Sequence, residues 1–214
     1  MQNLEVLYAD SDIVAIHKDP GVPSQSRKSN PRPLDIIVPE YLSEEVKIIT
    51  RLDQPVSGLV LFKRNRQEGK LNYHIDQKHY LAFVEGNVYP AENMLQHRLK
   101  KNNKLNKAVE NTDSGKKCRL EYKAISYFDH YTLLQVNLIT GRFHQIRAQL
   151  SLAGFPIKGD IKYGARRKNK DRSIHLHAFK YKITTNKSIS IMDYSFPDDP
   201  LWKLVNKELL SQKT

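Results

Sequence analysis

Two short stretches carry the residue types that make and break bonds: Arg51-Leu52-Asp53-Gln54-Pro55-Val56-Ser57-Gly58 and, further along, Thr140-Gly141-Arg142-Phe143-His144-Gln145-Ile146-Arg147. Together they set one carboxylate and several guanidinium groups in turn-like surroundings. A carboxylate such as that of Asp53 can act as a nucleophile or as a base. Alone, it could equally close a turn or pair with Arg51. The second stretch is what makes it a candidate.

The elements that must position these groups follow from local pattern. Pro55 and Ser57-Gly58 after Asp53 mark the place where a strand gives way to a tight loop, and Gly58 supplies backbone freedom. The run Leu59-Val60-Leu61-Phe62 then predicts a buried strand. A helix over residues 143–153 would put Phe143, Ile146 and Leu150 on one face, with Arg147 at its edge. There the guanidinium either seeks an anionic partner or snorkels to water. Thr140 and Gly141 offer that helix a cap. Strands are expected at residues 6–8, 13–16, around 80–84, 118–128, 131–139 and 174–183, the fourth and fifth joined as a hairpin about Asp129-His130. Helices are expected near residues 34–42, limited by Pro39, and over residues 64–73 and 200–210. Residues 21–33 read as a mobile loop, and residues 166–172 as a basic one. Mostly hairpin-connected strands with few helices argue for an α+β fold, an antiparallel-rich mixed sheet with flanking helices and loops.

The 214 residues suit one catalytic domain, and 35 Lys and Arg against 23 Asp and Glu leave a formal charge of +12. That excess favours a polyanionic partner, of which an RNA backbone is the simplest. A membrane surface fits less well, because no long apolar segment or basic amphipathic helix stands out. The single cysteine, Cys118, rules out an internal disulfide and reads as a small buried strand residue. No charged-then-apolar leader opens the chain, so the cytoplasm is the expected location. Residues 99–117 are almost wholly polar and read as a solvated excursion or as a disordered loop touching RNA. His175 and His177 have the spacing of a strand-borne metal pair. With no cysteine or carboxylate cluster to complete a site, they are expected to be surface histidines, and no metal site is assigned.

In order and type, these segments resemble the RluA-type pseudouridine synthases. The family carries His-Arg-Leu-Asp-x-x-Thr-Ser-Gly, Lys-x-Tyr-x-Ala and Thr-Gly-Arg-x-His-Gln-Ile-Arg. Here they stand as Arg51 to Gly58, Lys78-His79-Tyr80-Leu81-Ala82 and Thr140 to Arg147. Residues 154–164, running from Gly154-Phe155-Pro156 to Tyr163-Gly164, resemble its Gly-x-Pro-Ile-x-Gly-Asp-x-x-Tyr-Gly, and Lys18-Asp19-Pro20-Gly21 and Leu176-His177-Ala178 fall in the family's order. Thr50 and Val56 depart from its usual His and Thr or Ala.

The resemblance implies the pseudouridine synthase fold in a single domain over residues 1–214, acting as a monomer without the N-terminal S4 domain of many relatives. It implies isomerisation of a uridine in ribosomal or transfer RNA, with no cofactor required. Asp53 would be the catalytic carboxylate, kept ionised and oriented by Arg147. Tyr80 would stack on the flipped uracil, since a phenol of pKa about 10 is a poor base at neutral pH. Arg51 would fill the gap left by the extruded base or pair with Asp53 or a phosphate. Arg142 and His144 would meet phosphate or hold their loop. The alternative is a catalytically idle RNA-binding protein of the same fold. An Asp-dependent hydrolase would ask for a second acid or a metal.

Overall fold

The computed structural model of the chain describes residues 4–25, 31–65, 72–206 and 210. In chain order the elements are β1 (Val6–Ala9), β2 (Ile13–Lys18), α1 (Leu34–Leu42), β3 (Val46–Ile48), β4 (Ser57–Arg64), β5 (His74–Glu85) and β6 (Glu92–Asn102). They continue with β7 (Lys107–Glu110), β8 (Lys116–Tyr127), β9 (Tyr131–Leu138), α2 (Gln145–Leu152), β10 (Leu176–Thr184) and β11 (Ser188–Met192). The class is α+β. Two compact units emerge: residues 1–78 with 177–203, and residues 79–176 with 204–214.

In the first unit the strands run β1-β2-β4-β10, with β3 added to β4 and β11 to β10. All pairs are antiparallel except β4 with β10, which is parallel through His177↔Ser57 and Ala178↔Gly58. Every residue of β2 is buried, as are Leu59 to Phe62 of β4. Continuous apolar runs of this kind belong to strands covered on both faces. Gly58 is required by its position: its φ is +113°, and a Cβ there would lie 2.5 Å from the backbone of Ala178. Only glycine allows the two strands this approach.

The second unit is an antiparallel run β5-β9-β8-β6-β7, with β5 carrying the chain in from the first. Strand β9 alternates almost regularly between buried and half-buried residues. Leu99, Ala108, Cys118, Ala148 and Tyr163 form a small core under α2 and the 3₁₀ turn Ile161–Tyr163.

Several expectations change. Residues 99–117 are neither a loose excursion nor disordered: they hold the end of β6, all of β7 and the start of β8. This arm is fixed to the unit by buried Leu99 and Ala108 and by the Ala108 N–H donating to the Tyr163 hydroxyl at 2.7 Å. The helix expected from residue 143 begins at Gln145, because His144 takes a left-handed φ of 49° and turns the chain into it. Thr140 does not cap this helix; its hydroxyl donates to the Gln145 side chain at 2.8 Å. Residues 66–71 of the expected helix 64–73 lie outside the described residues, and Arg64 belongs to β4. Of the expected helix 200–210, Trp202–Leu204 form a 3₁₀ turn, Leu210 is helical with its N–H donating to the Asn206 carbonyl at 3.3 Å, and residues 207–209 lie outside the described residues. No helix among the described residues is long and apolar enough to cross a membrane.

Candidate active site

Asp53 lies half-buried on the turn between β3 and β4, where its carbonyl accepts the Val56 N–H at 3.0 Å. The turn is gripped by the segment that follows β2. The Gly21 N–H donates to the Gln54 carbonyl at 2.7 Å. The Gln54 side chain returns a hydrogen bond to the Gly21 carbonyl at 2.9 Å. Ser24 donates to the Leu52 carbonyl and accepts the Leu52 N–H, at 2.8 and 3.0 Å. Both main-chain neighbours of Asp53 are therefore tied down.

Beneath this clamp is Lys18, whose side chain is wholly buried. Its ammonium donates to the carbonyls of Asp19 and Val22 at 2.8 Å each and of Gln54 at 3.2 Å. Burial pushes the amine down to about 7, against the pull of Asp19 and Asp53. A lysine in a core is costly unless its donors are met, and here three carbonyls meet all three.

A second buried network ends at Ser57, on the far side of the Asp53 turn. His17 Nδ1 donates to Asp193 Oδ2 at 2.7 Å. His177 Nε2 donates to the Asp193 carbonyl at 3.2 Å, so its Nδ1 accepts the Ser57 hydroxyl proton at 2.9 Å. Burial presses His177 down to about 4 and keeps it neutral. Burial also works against protonated His17, but the hydrogen bond and charge of Asp193 prevail and raise it above its ordinary value. His175 and His177 are both buried, which corrects their reading as surface residues: their ring nitrogens find partners inside the fold. Among the described residues no group of three His, Cys, Asp or Glu is arranged to hold a metal ion.

In the second unit Arg147 is nearly buried near the start of α2 and is gripped by Asp160. Nε donates to Oδ2 at 2.7 Å and Nη2 to Oδ1 at 2.9 Å. This two-point grip fixes the guanidinium plane. Its carbon also sits 4.9 Å from the centre of the Tyr163 ring. Tyr80 is buried in β5 opposite Val136. Gln145 organises the approach to α2, its Oε1 accepting the Thr140 hydroxyl and the Arg142 N–H at 2.8 and 3.0 Å. Arg142 itself is exposed.

His144 Nδ1 accepts the Tyr163 hydroxyl proton at 2.9 Å. Burial, then the charges of Arg147 and Lys162, press this imidazole down to about 3, so it is uncharged at neutral pH. Arg51 is exposed, its Nη1 donating to Gln25 at 2.9 Å.

Thr50 satisfies the backbone, its Oγ1 accepting the Leu61 N–H at 2.9 Å. Sequence reasoning gave no role to Lys18, Ser24, Asp160 or Asp193. The available signal was a lysine that, after the apolar run Ile13 to Ile16 and His17, closes the strand just before Asp19-Pro20-Gly21.

Two solved structures share this architecture. Human RNA Pseudouridylate Synthase Domain Containing 1 superposes with a TM-score of 0.77 at 19% identity, covering 99% of this chain and 94% of that one. Human RNA Pseudouridylate Synthase Domain Containing 4 gives 0.72 at 19% identity, covering 93% and 91%. The fold is that of the pseudouridine synthases. The RNA pseudouridylate synthase family model matches residues 12–152, a span that includes Asp53, Tyr80 and Arg147, and the chain belongs to that family. Among curated relatives, it is 27% identical to ribosomal large subunit pseudouridine synthase D of Borreliella burgdorferi, over 86% of this chain and 62% of that protein. It is also 27% identical to tRNA pseudouridine synthase C of Haemophilus ducreyi, over 94% of each. The chain thus spans a little under two thirds of the first of these relatives.

Proposed function

We propose that the protein is an RNA pseudouridine synthase that uses Asp53. The observation that carries this reading is the Asp53 turn. A half-buried carboxylate rests on main chain pinned by Ser24 and by buried Lys18, in a chain of this family. Preorganisation of that kind suits a group that must meet a reacting atom in one geometry. In the reaction the bond from ribose C1′ to uracil N1 breaks, the base turns, and C1′ joins C5. The proton of C5 leaves and N1 gains one, so no electrons are gained or lost overall. Asp53 takes part as the nucleophile or as the base that removes a sugar proton.

Tyr80 offers a flat ring to the freed uracil, and Arg147, held in plane by Asp160, offers a fixed positive charge. Arg51 is exposed and able to swing from Gln25 into the space left by the flipped base, offsetting part of an unstacking cost of a few kcal/mol. Arg142 meets phosphate. His144, uncharged and bonded to Tyr163, holds its loop instead. The relatives named for large-subunit ribosomal RNA and for tRNA make a uridine in one of these the proposed substrate.

Sequencing RNA from cells lacking the protein should show one or a few pseudouridines lost, and complementation should restore them. An unchanged pseudouridine profile in ribosomal and transfer RNA would contradict the reading.

A further inference from the structure

In the second unit, the arm made by β6 and β7 comes against the loop that precedes α2, and the contact is built from aromatic rings and lysines. Phe143 is 37% exposed and stacks on the His144 imidazole, with centroids 3.8 Å apart and planes 19° from parallel. With one face of the phenyl ring taken by His144, the other is left to Lys101, whose ammonium lies 4.7 Å from the ring centre. Lys107 stands over Tyr163 at the same distance, and Lys162 donates to the Asn106 carbonyl at the tip of the arm at 3.2 Å. The imidazole behind Phe143 is anchored by the Tyr163 hydroxyl, which also accepts the Ala108 N–H. The phenyl ring therefore has a fixed backing. Residues 99–107, 140–147 and 161–164 contain no Asp or Glu.

An exposed aromatic ring would ordinarily be a liability on a surface. Here it is rigidly backed, flanked by lysines and Arg142, and partly exposed with a flexible lysine over the ring. A planar, uncharged group carried on an anionic backbone matches every one of these features. We propose that Phe143 is a stacking seat for an unpaired nucleobase of the bound RNA, with Lys101 moving from the ring to a phosphate of the same strand. This rests on the RNA-modifying reading and adds to it: the RNA is engaged through a single-stranded or looped segment. A base on Phe143 gains stacking on one side of a ring already ordered on the other. Lys101 exchanges an exposed cation–π contact for a phosphate contact.

The test uses the full chain with two labelled probes, a twelve-nucleotide oligouridylate and a twelve-base-pair RNA duplex. Phe143→Leu keeps an apolar side chain of similar bulk but cannot stack, and should bind the oligouridylate about tenfold or more weakly. Its affinity for the duplex should change less than about twofold. Phe143→Trp should retain wild-type affinity, with its added fluorescence quenched on binding the oligouridylate. Lys101→Met should lower the slope of log K against log salt on the oligouridylate by about 0.7. Equal oligouridylate affinities for wild type and Phe143→Leu would overturn the stacking seat while leaving RNA binding intact. Failure of the wild type to bind either probe would overturn the RNA reading and the seat together.

Discussion

The ammonium of Lys18 and the main-chain carbonyl of Gln54 stand 3.2 Å apart, joining a wholly buried lysine to the residue that follows Asp53. Lys18 positions Asp53 from beneath and has no surface to offer RNA. Lys18→Met should therefore lower the single-turnover rate on bound RNA by about tenfold or more, while RNA affinity stays within about twofold. Single-turnover kinetics at saturating enzyme, beside filter binding, separate the two. A variant that binds weakly but turns over normally once bound would contradict this role.

The Asp193 pair gives a pH dependence with a definite sign. His17 titrates above its ordinary 6.5 in the folded chain, because the hydrogen bond and charge of Asp193 outweigh burial. The stability it contributes is fully present below pH 6.5 and is lost as pH rises through the folded value. NMR titration should place the His17 midpoint above 6.5, with His177 near 4 and His144 near 3. From pH 6.5 upward, the urea-midpoint advantage of wild type over His17→Gln should shrink. An advantage that grows across that range would be the opposite of what the ion pair requires.

Much of the fold could be read from local pattern because strands buried on both faces leave a continuous apolar signature. The run Leu59 to Phe62 gave β4, and apolar spacing either side of Asp129-His130 gave the hairpin of β8 and β9. The β6–β7 arm was hidden because main-chain ladders and a tyrosine hydroxyl hold it, with few apolar residues to announce it. Lys18 was hidden for a related reason. Lysine reads as exposed, and its burial depends on carbonyls of Val22 and Gln54 that only the tertiary fold brings near. Arg147 was visible as a cation in need of an anion, yet Asp160 is a tertiary choice that spacing does not dictate.

Gly58 supports the same turn from its other end. Gly58→Ala would place a methyl 2.5 Å from Ala178 backbone atoms at a φ of +113°. The parallel pairing of β4 with β10 should loosen, costing about 3 kcal/mol or more. Urea unfolding measures this directly. A cost under about 1 kcal/mol would show that the close approach is not required.

In the second unit, Asp160→Asn should leave the Arg147 guanidinium buried beside a neutral amide. Removing one partner of a buried pair costs about 3–5 kcal/mol. Both groups are almost fully buried, so salt should rescue little of that loss. Urea unfolding at low and high ionic strength checks both points, and a small or strongly salt-sensitive change would contradict the grip described for this pair.

The central claim is that Asp53 does the chemistry. Asp53→Asn is nearly isosteric and keeps the turn's main-chain hydrogen bonds, so folding and RNA affinity should match wild type. The amide can act neither as nucleophile nor as base. Release of tritium from C5-labelled uridine in RNA taken from cells lacking the protein measures the reaction itself. Wild type should release tritium, and Asp53→Asn should release none above background. Activity of the variant within about tenfold of wild type would contradict the account.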